Sequence, residues 1–80
     1  MTEYIYIYYE YHKRYEEVVC DSLENLLNRI AFEIDENLSC PLEIRDPNRE
    51  LVMNETTLRD RAEQINSKWY DYKNGMEELK

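Results

Sequence analysis

Tyrosine and isoleucine alternate along residues 3–11: Tyr4, Tyr6 and Tyr8 fall on one side, and Ile5, Ile7, Tyr9 and Tyr11 on the other. A period of two predicts a β-strand, here apolar toward both faces. His12-Lys13-Arg14 interrupts the pattern, and Tyr15 to Cys20 reads as the returning strand of a hairpin. Because the break holds neither Asn-Gly nor Asp-Gly, the expected connection is a longer or bulged turn.

The period changes after Cys20. Leu23, Leu26, Leu27, Ile30, Ala31, Ile34 and Leu38 recur at helical spacing and make one apolar stripe. Asp21 followed three residues later by Glu24 resembles a capping box, with Asp21 or Ser22 as the N-cap. Fully burying each large member of the stripe stabilises the fold by roughly 1.5–3 kcal/mol before ordering entropy is subtracted.

Pro41 ends that region. Leu42 and Ile44 then alternate with Glu43 and Arg45, Asp46-Pro47-Asn48 supplies turn chemistry, and Leu51, Val52 and Met53 form a partner strand apolar toward both faces. A second helix begins with Asn54 or Thr56 as its cap. Along it Leu58, Ala62, Ile65, Trp69, Tyr72, Met76 and Leu79 recur in steps of four and three, a heptad stripe. Asn74-Gly75 is a stop signal inside that stripe, leaving residues 75–80 frayed or in a short extra turn. The predicted order is β-β-α-β-β-α within a single domain over residues 1–80. That is a two-layer α+β fold, with an antiparallel sheet from two hairpins and two amphipathic helices.

A strand that is apolar on both faces needs two covers. The helices could take one face each, or both could take the same face and leave Tyr4, Tyr6 and Tyr8 open. Three fates follow for these tyrosines: core packing with hydroxyls at the rim, a protein-binding or dimer surface, or a base-stacking platform. Glu3 and Glu10 flank the stripe and oppose the third.

Charge narrows the choice of partner. The chain carries a net charge of −8, which disfavours phosphate-tracking nucleic-acid binding and docking on anionic membranes. The expected partner is a protein with a basic surface, contacted without direct nucleic-acid or membrane binding, and a homodimer is a further expectation. Eight acidic side chains and one basic residue, Arg29, lie between Glu16 and Glu43, a local net of −7. On a helical wheel Glu24, Asp35 and Glu36 fall opposite the apolar stripe, with Phe32 among them about 180° from Leu23. Phe32 is either an isolated exposed residue or an aromatic anchor ringed by carboxylates. The acidic face is either a solvated helix surface or a set of phosphate mimics, with Glu24, Glu33, Asp35 and Glu36 as the mimics and Tyr4, Tyr6 and Tyr8 as a second contact.

In the second helix Arg59, Arg61, Lys68 and Lys73 fall at e and g positions, which disfavours a parallel homodimeric coiled coil and suits packing on the protein's own sheet or an acidic partner. Chemistry is sparse. The single histidine, His12, lies in the expected turn, no metal-ligand spacing occurs, and one glycine rules out a phosphate-binding loop. No catalytic residue and no cofactor is expected. Cys20 and Cys40 are expected as reduced, partly buried thiols, a disulfide being the alternative. No apolar run is long enough to span a bilayer and no signal-peptide pattern opens the chain, so the cytoplasm is the expected compartment.

In size, acidity and absence of catalytic motifs, the whole chain resembles the small inhibitor proteins encoded by bacteriophages and mobile elements, among them anti-CRISPR and DNA-mimic proteins. The resemblance lies in composition and layout: neither "YIYIYYEY" nor "DSLENLL" marks a particular family, and no family's functional residues carry over. It implies a non-enzymatic module that binds a host defence or nucleic-acid-processing protein and occludes its DNA- or RNA-binding surface. The alternative is a structural or regulatory subunit that self-associates through the tyrosine-rich strand or the C-terminal helix.

Overall fold

The computed structural model describes residues 3–78, and side chains as far as Trp69. The element order is β1 (Tyr4–Glu10), β2 (Lys13–Val19), α1 (Leu23–Asp35), β3 (Cys40–Arg45), β4 (Leu51–Met53) and α2 (Glu55–Glu78). The four strands form one antiparallel sheet in the order β2-β1-β3-β4, so the tyrosine-rich strand is central and β2 and β4 are its edges. This is the α+β order that hydrophobic periodicity predicts.

The first connection is tighter than expected. Glu10 pairs with Lys13 across a two-residue turn, and both turn residues are left-handed, Tyr11 at φ 51° and His12 at φ 65°. Two positive φ values are what a type I′ hairpin needs, and that turn follows the twist of its strands whether or not Asn-Gly is present. Register on the flanks, where Tyr8 pairs with Tyr15 and Tyr6 with Glu17, sets the loop length here.

Of the two expected caps of α1, Asp21 and Ser22, the second takes the position. Ser22 is the N-cap and its hydroxyl accepts from the Asn25 N–H at 3.1 Å. Asp21 Oδ1 meanwhile accepts from the Ser22 N–H (2.7 Å) and the Asn25 side-chain amide (2.9 Å). The helix stops in a Schellman motif: Asn37 is left-handed at φ 55°, its N–H donates to Ile34 O, and the Leu38 N–H donates to Glu33 O. Leu38 therefore lies past the end of α1 and is exposed, outside the stripe assigned to it.

Pro41 sits inside β3, opposite Tyr8, where the β1–β3 register shifts. A residue without an N–H is tolerated in a strand at such an irregularity. Asp46 closes the second hairpin, its carboxylate accepting from the Asn48 and Glu50 N–H groups, both at 2.9 Å. α2 is capped by Asn54, whose side-chain oxygen accepts from the Thr57 N–H at 2.9 Å. It continues through Asn74-Gly75 to Glu78, because one interior glycine costs only about 1 kcal/mol relative to alanine. The side chains of Tyr72, Met76 and Leu79 from the expected stripe lie outside the described residues.

Both helices pack on one face of the sheet. Tyr6, Leu26, Ile30, Ala31, Ile44, Leu58 and Ala62 form a single buried cluster, with Tyr4, Tyr8, Val19, Met53 and Ile65 packed around it. Ala31 and Ala62 let the two helices approach, and the Asn66 amide spans them by donating to Ala31 O at 3.1 Å. The covered face is thus the even one, and Tyr6 is fully buried at 0% exposure. Tyr6, Tyr8 and Tyr15 stack in sequence, with ring centroids 4.8 Å and then 5.5 Å apart.

Candidate protein-binding face

Local structure decides which carboxylates of the acidic stretch reach solvent as net charge. Arg29, midway along α1, extends over the Tyr6 ring (6.0 Å) to the β2 side of the molecule. Its guanidinium donates to both oxygens of Glu17, at 2.7 and 3.2 Å, and to Glu33 at 3.0 Å. Glu33 in turn accepts from the Ser39 hydroxyl at 2.8 Å, and its side chain is only 17% exposed. Glu17 first and Glu33 next hold the Arg29 guanidinium firmly protonated. Glu33 is therefore a structural anchor joined to a cation, not an outward phosphate mimic.

The opposite face of the sheet takes two more of the acids. Glu16 pairs with Arg14 (3.0 Å) and Arg49 (3.3 Å), and Glu43 pairs with Arg45 (2.7 Å). The two arginines, Arg49 foremost, hold the Glu16 carboxyl below its usual range. Among the described residues, these ion pairs hold four of the eight acids between Glu16 and Glu43, and two of the four face away from α1. Negative charge is not gathered into one patch; what remains over α1 is a smaller set. Asp21 belongs to the helix cap, and the Asn25 amide and Ser22 N–H lower its pKa.

That smaller set is Glu24, Asp35 and Glu36, all exposed on α1, with Phe32 projecting among them at 59% exposure. Asp35 and Glu36 stand at the C-terminal end of the helix, whose last turn holds no basic residue. Negative charge there opposes the helix dipole at a cost of about 0.3–1 kcal/mol per group at low ionic strength.

Tyr4, Tyr6 and Tyr8 are corrected as a contact surface. They lie on the helix-covered face, and β1 is hydrogen-bonded on both sides, so that strand has no free edge for self-association. The signal for this lay in the pairing partners. The even tyrosine positions of β1 neighbour Val19, Tyr15, Ile44 and Pro41 with one acid, Glu17, whereas the odd positions neighbour Arg14, Glu16, Glu43 and Arg45 beside Val18 and Cys40. Buried Tyr6 ends in a hydroxyl that lies near Ser39 but makes no well-formed hydrogen bond among the described residues, and burial, reinforced by nearby Glu33 and only partly offset by Ser39, raises its pKa well above the ordinary 10.0. Burial likewise raises Tyr8, with Glu17 adding to it.

Two features were not anticipated from the sequence. Trp69, the fifteenth residue of α2, is 57% exposed and not packed in the core stripe assigned to it. Between the helices runs an open groove of about 630 Å³, lined by Leu27, Ile65 and Trp69 with Glu24, Arg61 and Lys68. Cys20 and Cys40 are free thiols, and both are exposed, not partly buried. They flank opposite ends of β1, Cys20 just past the Val19–Tyr4 pair and near Glu3, Cys40 opposite Tyr9, more than ~16 Å apart at strand rise, too far to be joined within one chain.

Among the described residues no cluster of three or more His, Cys, Asp or Glu side chains converges on a metal-sized site, and no helix is long and apolar enough to cross a membrane. No protein-family model matches the chain, and no curated protein and no solved structure matches it either.

Proposed function

We propose that this protein is a non-enzymatic binding module whose outer α1 face docks on a basic, nucleic-acid-binding surface of another protein and occludes it. In this reading it is an inhibitor of the kind that phages and mobile elements direct against host defence or nucleic-acid-processing proteins. One observation carries the reading: Phe32 stands exposed beside Asp35 and Glu36 at the helix end where acids are locally unfavourable. Departures from local stability rules of this sort concentrate where a surface has another task. Phe32 supplies the apolar anchor, Glu24, Asp35 and Glu36 supply complementary potential, and Glu33 positions the helix through Arg29.

The test is retention of proteins from a bacterial lysate on the immobilised chain, at about 0.1 M and about 1 M salt, between which the screening length falls from ~10 to ~3 Å. Asp35→Lys combined with Glu36→Lys should lose the proteins held at the lower salt. Glu36→Lys alone should leave thermal stability unchanged or slightly higher, since lysine suits the C-terminal end of a helix. Retention by the doubly reversed variant equal to that of the parent would remove α1 as the docking face.

A further inference from the structure

The edge strand β2 carries a pattern that the α1 face does not use. Its first five residues are Lys13-Arg14-Tyr15-Glu16-Glu17: two cations, a tyrosine, two anions, antisymmetric in charge about Tyr15. β2 is bonded to β1 on one side only, and five of its seven residues are exposed. Because Glu10 and Lys13 close a two-residue hairpin, they are a hydrogen-bonded pair, and bonding to β1 alternates from there. Lys13, Tyr15, Glu17 and Val19 direct their backbone groups inward to β1. Arg14, Glu16 and Val18 direct theirs outward, where the sheet ends.

We infer that β2 pairs antiparallel with β2 of a second copy of this chain, centred on Tyr15, so that two four-stranded sheets become one of eight strands. Three requirements select this register. A continuous sheet with helices on one side demands that paired residues share a face, so the axis must pass through a residue. Centring on Tyr15 sets Arg14 opposite Glu16 of the second copy, and both present outward N–H and C=O groups, so each such pair can exchange two hydrogen bonds. It also sets Lys13 opposite Glu17, which makes every charged pair in the five-residue core complementary. A centre at Glu16 would place two glutamates face to face, and a centre at Arg14 two arginines; cross-strand like charges disfavour both.

Charged edge strands ordinarily resist pairing. Here the signs resist the two neighbouring registers, centred on Arg14 and on Glu16, and favour the one centred on Tyr15. Tyr15, 40% exposed and already stacked on Tyr8, would meet its counterpart at a non-hydrogen-bonded position, where side chains come closest, and the tyrosine stack would continue across the junction. Glu16 already holds Arg14 and Arg49 of its own chain, so the junction would join these ion pairs into one network. The interface uses neither Phe32 nor the α1 carboxylates and stands or falls apart from the docking function.

Sedimentation of the full chain from about 5 to about 500 μM, in reducing buffer so that Cys20 and Cys40 stay out of the result, tests the inference together with residue-resolved amide exchange. The expected outcome is a concentration-dependent dimer in which the Arg14 and Glu16 amides gain protection as concentration rises. Arg14→Glu should weaken dimerisation at least tenfold, and Arg14→Glu with Glu16→Arg, which restores the antisymmetry, should recover it. A parent chain monomeric at the highest concentration would overturn the inference. So would a dimer indifferent to Arg14→Glu, or one whose Arg14 and Glu16 amides exchange as in the monomer. Should Arg14→Glu fail to fold, the amide exchange of the parent chain decides alone.

Discussion

Tyr6→Ala should leave most of the protein unfolded at neutral pH, whereas Tyr6→Phe should fold at least as stably as the parent. Tyr6 is fully buried at the centre of the cluster that joins β1, β3, α1 and α2. Truncating a buried aromatic residue to alanine typically costs 3–5 kcal/mol. A core of this size rarely supplies more than about 3–5 kcal/mol of net stability, so the loss is comparable to the whole. The phenylalanine variant keeps the ring, its stack on Tyr8 and its contact with Arg29, and removes only a buried hydroxyl that makes no well-formed hydrogen bond among the described residues. Relief of that group should raise stability by roughly 1 kcal/mol.

The same hydroxyl gives the pair of variants a pH signature. Burial raises the Tyr6 pKa above its ordinary 10.0. The folded state therefore keeps a proton that the unfolded state releases, so the contribution is fully present below pH 10 and declines as pH rises through the folded pKa. The slope for one such group is at most about 1.4 kcal/mol per pH unit. Tyr6→Phe should flatten the alkaline limb of stability above pH 10 without removing it, since Tyr8 is raised in the same direction. Urea midpoints at pH 7 and pH 11 for the three proteins read out both effects. A Tyr6→Ala variant with an unchanged midpoint would contradict the placement of the even tyrosine face in the core.

The largest effect on binding is expected from Phe32→Ala. An aromatic anchor central to an interface is worth about 2 kcal/mol or more on truncation, roughly 30-fold in Kd. A side chain 59% exposed in the unbound protein contributes little to folding, so the thermal midpoint should stay within about 0.5 kcal/mol of the parent in free-energy terms. Calorimetry against a captured partner, beside a melting curve of the variant alone, separates the two. Weaker binding with unchanged stability is the expected combination. Unchanged binding would reduce Phe32 to an ordinary exposed residue.

The order of elements was legible because each long segment keeps one period: two in β1, a helical stripe from Leu23 to Ile34, another from Leu58 to Ile65. Helix ends were legible only to within a residue, since Asp21, Ser22 and Asn25 all carry capping groups and geometry alone decides that Ser22 takes the cap. The Tyr11-His12 turn was hidden because neither residue advertises a left-handed backbone. Strand register imposes it. The covered face of β1 was hidden for a different reason: Tyr and Ile are both apolar, and the deciding residues stand on neighbouring strands. Charge misled most. Eight acids close in sequence fold onto both sides of the sheet, where, among the described residues, Arg14, Arg29, Arg45 and Arg49 pair with four of them, and only the strand register shows which side each one takes.

Whether α1 takes the place of nucleic acid is tested most directly by competition. Proteins retained at low salt on the immobilised chain are challenged with a short DNA duplex at constant ionic strength. The account predicts their release by the duplex, and no retained protein left to displace when Asp35→Lys and Glu36→Lys replace the parent. Simultaneous binding of the retained protein to the duplex and to this chain would contradict it.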